Sequence, residues 1–409
     1  MKIAIIGGGA AGMMCAATIN ELSPKAEVFL IEKNTSLGKK VIISGGGRCN
    51  VTTGLEDVKR ILENYPRGSK FLSSAVYGFP PSAVREWFEG HGVPLKCEND
   101  NRVFPVSDKG EDVVNVFKKI FKDFGTEILP GHKVDKIVKS GEEFKIHFTN
   151  FPELVVDRVV FALGGQAYRG TGSTGDGYEL AESLGHTITK LAPSLHSFIT
   201  AEAWPKNLAG VSFPKATIYA GSEEKKFTGP FLFTHSGISG PAVFALSSLV
   251  AFESFDRKKS LPIKIDLLPD FSSEELFKTL KEKSVDNVKQ SFKNYLRNFV
   301  PEAVAVVVCT ENKIAIEKKY AIITDEELKN VAIWLKGAPL NAVGKGGGDE
   351  FVTAGGVKLT EIDPQTMESK VCQGLYFGGE IMDIDGFTGG FNLQASWATG
   401  RRAGESIAR

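Results

Sequence analysis

The sequence is poor in cysteine, and its cysteines are not spaced for metal or redox chemistry. Five occur among the 409 residues, and no two of them form a Cys-x-x-Cys pair: Cys15, Cys49, Cys97, Cys309 and Cys372. Zinc sites and thioredoxin-like dithiols use such pairs, whereas scattered reduced thiols are typical of cytosolic proteins. We therefore expect no bound metal, no dithiol chemistry and a cytoplasmic location.

The sequence also lacks a charge excess and long apolar runs. Lys plus Arg and Asp plus Glu both total 49, so no global field attracts nucleic acid or an anionic membrane. Residues 3–6 lead straight into glycines, unlike a signal peptide, and runs such as residues 303–309 are too short to cross a bilayer. We expect a small-molecule substrate and no membrane, and we disfavour nucleic acid as a partner. The sequence carries no signal for the oligomeric state.

Glycine, in contrast, is abundant and clustered. The chain has 44 glycines, above the usual share of about 7%. The first cluster, GGGAAG at residues 7–12, lies between a predicted strand at residues 2–6 and a predicted helix at residues 11–22. A further predicted strand at residues 27–32 completes a right-handed βαβ unit. These elements indicate an α/β protein with a doubly wound, Rossmann-like sheet.

This first cluster satisfies the Gly-x-Gly-x-x-Gly motif of dinucleotide-binding folds. Gly7 allows a tight turn, Gly9 allows backbone amides to approach a pyrophosphate, and Gly12 allows the helix to pack on the strand. The helix N-terminus adds amide donors and the positive end of its dipole. Glu32 ends the second strand, where a carboxylate accepts ribose hydroxyls and disfavours a 2′-phosphate. A glycine turn without a ligand is the weaker alternative, and the motif alone does not separate FAD from NAD.

The second cluster is SGGGRCN at residues 44–50. Its three glycines allow close backbone approach, while Arg48 offers a cationic fork and Asn50 an amide. A flavin ring needs such neighbours, because its reduction places negative charge near its pyrimidine edge. The alternative is a structural turn with Arg48 in an ordinary salt bridge. Cys49 is predicted to be an inert buried thiol rather than a nucleophile.

Two later clusters also follow predicted strands. Gly164-Gly165 ends one strand, and Asp176 then opens a helix, where it either faces a ligand or caps the helix. Near the C-terminus, a strand leads to Glu380 and Asp383, which are candidates to hold ribityl hydroxyls. Gly389-Gly390 then lies at the start of a helix, whose N-terminus would stabilise an anionic flavin edge. Glycine clusters at both ends of the chain suit a long, extended cofactor, which favours FAD over NAD.

The chain is predicted to contain a discontinuous FAD-binding domain, residues 1–192 and 346–409. The inserted residues 193–269 and 310–345 have β-type texture, and residues 270–309 form a helical subdomain whose pattern continues to residue 336. His235 lies among turn-forming residues of the insert and is either a general acid or a structural histidine, with the structural interpretation favoured. Arg48, Asn50 and His235 are the only, and weak, catalytic candidates.

At these clusters the sequence resembles the BaiN-like (YhiN-like) family of NAD(P)/FAD-dependent oxidoreductases, within the glutathione-reductase-type flavoproteins. The resemblance rests on SGGGRCN at residues 44–50, GSTGDGYELAESLGH at 172–186, FTHSGISGP at 233–241 and TAGGV at 353–357. It implies an inserted β-barrel that carries a helical subdomain. It also implies, together with the motifs above, these FAD contacts: Gly7, Gly9, Ala10, Ala11, Gly12, Glu32, Lys33, Gly38, Lys39, Lys40, Ser44, Gly45, Gly46, Gly47, Arg48, Cys49, Asn50, Val134, Ala162, Gly164, Gly165, Gly379, Glu380, Asp383, Gly389, Gly390, Phe391, Asn392 and Leu393.

The resemblance implies reduction of a substrate C=C bond as one type of activity. The sequence also resembles, more distantly, the fumarate-reductase flavoproteins. Those enzymes carry a His and an Arg in the loop that corresponds to residues 387–393, and this chain has neither there, which disfavours dicarboxylate reduction. We expect an FAD-dependent oxidoreductase that passes a hydride between flavin and a small organic substrate. Because no second Gly-x-Gly-x-x-Gly motif is visible, NAD(P)H as reductant would need a shared site. The alternatives are an FAD-dependent tRNA-modifying enzyme and a non-catalytic flavin-binding regulator.

Overall fold

The computed structural model describes residues 1–221, 225–282, 289–346 and 351–409. Its contacts divide the chain into two compact units. The first unit is Met1–Ser194 with Asp349–Arg409, and the second unit is Leu195–Gly348. The finer division predicted from the sequence, with a helical subdomain at residues 270–309, stays a prediction.

Among the described residues, the strands of the first unit form one parallel sheet and smaller antiparallel sheets, and those of the second unit are antiparallel. In chain order they are β1 (Lys2–Ile6), β2 (Glu27–Glu32), β3 (Thr52–Thr53), β4 (Leu95–Cys97), β5 (Arg102–Pro105), β6 (Glu127–Pro130), β7 (Val134–Ser140), β8 (Glu143–Phe148), β9 (Leu154–Val156), β10 (Arg158–Phe161), β11 (Ala192–Ser194), β12 (Phe198–Thr200), β13 (Ser212–Ala220), β14 (Lys225–Phe233), β15 (Gly237–Ser239), β16 (Leu261–Asp266), β17 (Ala338–Lys345), β18 (Val352–Ala354) and β19 (Leu375–Phe377).

The α-helices vary from a single turn to the long C-terminal helix. In chain order they are α1 (Ala10–Leu22), α2 (Lys39–Ile43), α3 (Val58–Leu62), α4 (Ser69–Gly78), α5 (Pro81–Gly90), α6 (Gly110–Phe124), α7 (Asp176–Ser183), α8 (Pro241–Leu249), α9 (Ser273–Lys281), α10 (Phe292–Leu296), α11 (Glu302–Glu311), α12 (Asp325–Lys336) and α13 (Phe391–Ile407).

A five-stranded parallel sheet forms the centre of the first unit, in the order β19-β10-β1-β2-β6. Residues 3–5 of β1 are fully buried, as expected for a parallel strand covered on both faces. α1 packs against α13 so closely that a Cβ at Gly400 would lie 2.3 Å from the carbonyl oxygen of Ala11. The predicted βαβ unit is confirmed, and so is the completion of the sheet by a C-terminal strand.

The second unit is built on a closed barrel of six strands in the order β12-β15-β14-β13-β16-β17. β16 shows the pattern clearly, since Leu261, Ile263 and Ile265 are buried while Pro262 and Lys264 between them are exposed. Apolar side chains therefore fill the barrel, and polar ones cover it. The barrel implied by the family resemblance is confirmed.

Two predicted elements are wrong in extent. The helical sequence pattern of residues 286–299 predicts one helix over that range. The helix begins only at Phe292, because the side chain of Ser291 accepts from the amide of Asn294 and caps it there; residues 286–288 lie outside the described residues. The sequence pattern of residues 350–359 likewise predicts a strand over that range. The strand is only Val352–Ala354, because Gly355 (φ 90°) and Gly356 (φ 155°) turn the chain away.

No helix among the described residues is long and apolar enough to span a bilayer. The same residues contain no group of three or more His, Cys, Asp or Glu residues arranged to hold a metal ion.

Candidate functional site

The glycine clusters meet at one edge of the parallel sheet. Ile6 of β1 pairs with Ile31 of β2 and with Phe161 of β10, which in turn pairs with Phe377 of β19. Each of these strands ends within a residue of this row and is followed by a predicted site residue. The carboxyl edge of an open parallel sheet is where α/β folds bind ligands.

The first glycine turn is shaped by close packing at two positions and is open at a third. At Gly7 (φ 110°) a Cβ would lie 2.3 Å from the carbonyl oxygen of Ala162, and at Gly12 it would lie 1.9 Å from that of Gly7. At Gly9 nothing lies within 4 Å of the Cβ position. Gly9 is also the N-cap of α1 and provides no side-chain cap. The first amides of α1, which include those of Ala10 and Ala11, are therefore available to an anion.

Glu32 is held beside this turn by three hydrogen bonds. Its carboxylate accepts from the amide of Gly8 at 2.9 Å, from the amide of Asn34 at 2.8 Å and from Nδ2 of Asn34 at 2.7 Å. The residue is buried, with 8% of its surface exposed. These donors fix the carboxylate at the end of β2, where the motif requires an acceptor for ribose.

Asp176 does not cap α7, so that interpretation of the sequence is wrong. The N-cap is Gly175, and Asp176 is the first helical residue. Its carboxylate accepts from Nζ of Lys33 at 2.6 Å and from Oγ1 of Thr174 at 2.6 Å. Partial burial raises the pKa of Asp176, but the hydrogen bonds from Lys33 and Thr174 outweigh it and lower that pKa overall. The ion pair ties the loop after Gly164 and Gly165 to the end of β2.

The loop at residues 44–50 follows α2, whose N-cap is Gly38 in the left-handed region. Gly45, Gly46 and Gly47 all have positive φ, and nothing lies within 4 Å of a Cβ at the last two. This leaves the backbone of the loop open to a planar or anionic group. Lys39 on α2 donates to Oδ1 of Asn34 at 3.2 Å, and Ser44 ends the helix.

Arg48 is engaged within the protein, as in the salt-bridge alternative. It donates to Glu98 at 2.7 Å, and its guanidinium lies 3.8 Å from the centre of the Phe104 ring. Asn50, with its amide oriented to satisfy both neighbours, donates to the carbonyl of Thr52 at 3.1 Å and accepts from the amide of Gly390 at 2.9 Å. Asn50 therefore links the loop to the N-terminus of α13. Neither side chain is positioned by these contacts as an acid or base.

Cys49 is completely buried, and burial raises the pKa of its thiol to about 12. A thiol with such a pKa is almost wholly protonated at neutral pH and is a poor nucleophile. The interpretation of Cys49 as an inert thiol is favoured.

Glu380 connects two elements of the site. Oε2 accepts from Nζ of Lys40 at 2.7 Å, and Oε1 accepts from the amide of Thr353 at 2.9 Å. The carboxylate thus joins α2, which carries the open loop, to β18. Oδ1 of Asp383 has no hydrogen-bond partner among the described residues, and burial raises the pKa of this carboxyl.

Sequence reasoning missed a buried ion pair beside Asp383. Arg67 donates from two guanidinium nitrogens to Asp385, whose side chain is fully buried. Asp385 also accepts from Oγ of Ser194 at 3.0 Å. Arg67 and Asp385 are 318 positions apart in the sequence, so no local spacing predicts the ion pair.

The start of α13 is the last part of the site. Gly389 and Gly390 have positive φ, and the N-cap Gly390 provides no side-chain cap to the amides of Phe391 and Leu393. Asn392 folds back instead, with Oδ1 accepting from the amide of Gly386 at 2.8 Å and Nδ2 donating to its carbonyl at 2.7 Å. Asn392 therefore shapes the preceding loop.

The remaining predicted residues are placed as follows. Val134 begins β7 and is buried, Ala162 follows β10 against Gly7, and Gly379 has positive φ beside the Cβ of Ala11. His235, in contrast, lies in the second unit, exposed in the turn between β14 and β15. All the other predicted site residues belong to the first unit.

Comparison with known proteins identifies the family of the chain. A family model described as "HI0933-like protein Rossmann domain" matches residues 1–406. The 3-dehydro-bile acid delta(4,6)-reductase of Clostridium scindens is 30% identical, over 100% of this chain and 99% of the relative. The ribosomal RNA dihydrouridine synthase of Haemophilus influenzae is 30% identical, over 99% of this chain and 98% of the relative.

Solved structures show the same fold at lower identity. The 3-ketosteroid-delta4-(5alpha)-dehydrogenase from Rhodococcus jostii RHA1 has a TM-score of 0.52 at 15% identity, covering 100% of this chain and 96% of that one. An open flavocytochrome c3 fumarate reductase has a TM-score of 0.51 at 17% identity, covering 100% of this chain and 78% of that one. The chain belongs to the HI0933-like family, which confirms the family resemblance seen in the sequence, and it is an enzyme, an FAD-dependent oxidoreductase.

Proposed function

We propose that this enzyme reduces a carbon–carbon double bond that is conjugated to a carbonyl group. The observation that carries the proposal is that two relatives, each 30% identical over nearly the whole chain, are named for substrates that share this group. A 3-dehydro-bile acid with a Δ4 bond is an enone. Formation of dihydrouridine saturates the uracil C5=C6 bond next to a carbonyl. The non-catalytic regulator is disfavoured, because both names are those of enzymes.

The residues at the sheet edge fit FAD. The open position at Gly9 and the uncapped start of α1 suit the pyrophosphate, and Glu32 suits the adenosine ribose. The open backbone at Gly46 and Gly47 and the uncapped start of α13 suit the isoalloxazine. When bound, FAD supplies hydride transfer. NAD(P)H is proposed as its reductant.

This chain's own contribution is placement and electrostatics. The N-terminus of α13 stabilises negative charge through its free amides and its dipole, so it would favour the reduced state of a ring beside it. Glu380 and Lys40 hold α2 in place, and Asn50 holds the following loop against Gly390. Reduction of the double bond takes up one proton in addition to the hydride.

The test is anaerobic reoxidation of the reduced holoenzyme. The purified protein, reduced by NADH, NADPH or dithionite, is mixed with 2-cyclohexenone, a 3-oxo-4-ene steroid or a uridine-containing oligoribonucleotide. Return of the oxidised flavin absorbance, near roughly 450 nm, with formation of the saturated product supports the proposal. Cyclohexanone, which lacks the double bond, is the control. Reoxidation by a quinone but by none of the conjugated acceptors would contradict it.

A further inference from the structure

The start of α13 is held by a buried side-chain amide that is not among the predicted FAD contacts. Gln394 is the fourth residue of this helix and is fully buried. Its Oε1 accepts from Oγ1 of Thr52 at 2.6 Å, and its Nε2 donates to the carbonyl of Phe79 at 2.7 Å. A buried amide is costly unless both of its ends are bonded. Gln394 therefore forms a fixed link from the helix to two other segments of the first unit.

Thr52, the partner of Gln394, also packs against the N-cap of the same helix. Thr52 begins β3, two residues after the glycine loop at residues 44–50, and it is fully buried. A Cβ at Gly390 would lie 2.3 Å from the carbonyl oxygen of Thr52. The side chain of Asn50 donates to that carbonyl and accepts from the amide of Gly390. Backbone packing and side-chain bonds thus hold β3 against the helix start at two points, one turn apart.

A second buried side chain holds the first residue of the helix. The hydroxyl of Tyr65 donates to the carbonyl of Phe391 at 2.8 Å, and the two rings meet edge to face with their centres 6.0 Å apart. Tyr65 is buried, so this bond is shielded from water. Because Tyr65 precedes α4 and Thr52 belongs to β3, two separate segments of the chain hold the same helical turn.

The bonds that fix this turn do not use the first amide of the helix, that of Phe391. Tyr65 bonds to the carbonyl of Phe391, and Gln394 contributes only its side chain. Asn50 accepts from the amide of the N-cap, Gly390. The helix start is therefore held in place while its following donors and the positive end of its dipole remain available to a ligand. Donors that are fixed before charge develops stabilise that charge without a cost of reorganisation.

We propose that Gln394 is a positioning residue for the flavin, which acts through Thr52 to hold the amides of the α13 N-terminus at the anionic edge of the reduced ring. The inference rests on the proposed placement of the isoalloxazine beside this helix start. A residue that only filled the core would stabilise the protein without altering the cofactor. A positioning residue also changes how strongly the protein prefers reduced over oxidised flavin, because that preference depends on the distance between the helix end and the negative charge.

The experiment measures the flavin midpoint potential of the holoenzyme by anaerobic titration against a reference dye, together with the melting temperature of the apoprotein. Thr52→Val removes the hydroxyl at nearly unchanged volume, and Gln394→Met removes the amide. Each is expected to weaken the preference for reduced flavin about ten-fold, which lowers the two-electron midpoint potential by about 30 mV. Thr52→Ser keeps the hydroxyl and should restore the potential of the parent protein.

Thr18→Val is the matched control, because Thr18 is a buried threonine of the first unit whose hydroxyl donates to the carbonyl of Met14 at 2.8 Å within α1. Its melting temperature should fall while its midpoint potential stays that of the parent. An unchanged potential in Thr52→Val, or an equal shift in Thr18→Val, would overturn the inference whatever the loss of stability. If Gln394→Met retains no FAD, Thr52→Val decides, since it removes one hydroxyl only.

Reoxidation of the reduced flavin by 2-cyclohexenone is measured in parallel, so that the two proposals fail separately. A shifted potential in Thr52→Val without reduction of any conjugated double bond by the parent rejects only the proposed reaction. An unchanged potential together with enone reduction rejects only the positioning role of Gln394.

Discussion

The two units differ in what their charged side chains contact. In the first unit, Glu32, Glu380 and Asp385 are largely buried, and each accepts hydrogen bonds from a backbone amide or a cation. In the second unit, Lys226 and Lys264 face outward without an acid partner among the described residues. A carboxylate surrounded by donors holds loops in one shape, whereas an exposed, unneutralised cation is available to a partner. The first arrangement suits the proposed cofactor cradle, and the second leaves its cations exposed to solvent.

The largest expected effect breaks the cradle through backbone packing. Gly12→Ala should abolish retention of FAD and lower the stability of the protein by several kcal/mol, about 3 or more, because its Cβ would lie 1.9 Å from the carbonyl oxygen of Gly7. Gly9→Ala is the matched variant. It has open space in the protein, so the thermal stability of the apoprotein should be unchanged while FAD binding weakens. Flavin content after gel filtration and melting of the apoprotein distinguish the two. Equal melting temperatures would contradict this account.

The next effect compares a buried ion pair of the first unit with an exposed one of the second. Arg67→Met should destabilise the protein by about 3 kcal/mol, because it leaves the buried carboxylate of Asp385 without its cation. Lys281→Met removes a cation from a pair whose side chains are 51% and 62% exposed, and it should cost about 0.5 kcal/mol or less. Urea unfolding measures both. If Arg67→Met lowers the free energy of unfolding by no more than Lys281→Met does, burial does not make the Arg67–Asp385 pair the more important of the two for stability.

The smallest effect uses a property that the units share, a buried histidine in each. Burial lowers the pKa of His196 to about 4 and also lowers the pKa of His186. The unfolded chain takes up these protons first, near pH 6.5. The stability contributed by neutral His196 is therefore complete above pH 6.5 and is lost as the pH falls towards 4, with about 2 kcal/mol lost by pH 5. His196→Gln should flatten the decrease in unfolding free energy between pH 7 and pH 5.

Exposed His235 provides the control for this measurement. His235→Gln should leave the pH dependence of stability as it is in the parent protein, since the side chain is exposed in a turn. A decrease below pH 6.5 that is unaltered by His196→Gln would assign the effect to other groups.

Much of the first unit could be predicted from local patterns. The spacing of Gly7, Gly9 and Gly12 between a strand and a helix predicts the βαβ unit. Few residues other than glycine tolerate the tight turn and the close packing of the helix on the strand. Proline and glycine mark helix ends, so Pro81 and Gly90 predict a helix between them, and the observed helix Pro81–Gly90 has these bounds. The strand at residues 350–359 was overestimated, because two glycines with positive φ interrupt it and their conformation is not visible in an apolar pattern.

Side-chain partners were predicted less well. Asp176 had the position of a helix cap, but Lys33 comes close enough to pair with it only after β2 and α7 have been brought together at the sheet edge. From the sequence, Arg48 is a candidate to place its cation beside the flavin, with a salt bridge as the alternative. In the fold it is paired with Glu98. Long-range partners depend on topology, and a single sequence contains no record of which distant residue will be adjacent.

The sequence by itself determined the parallel sheet, the dinucleotide motif and the FAD-dependent class, because glycine spacing and strand periodicity are local constraints on the backbone. Only the tertiary structure decided which charges are paired. It buried Asp385 against Arg67, joined Glu380 to Lys40, and left Lys226 and Lys264 on either side of Tyr219. Such pairing depends on distances across strands and loops that are remote in the chain, so it is settled by packing and register, and not by composition.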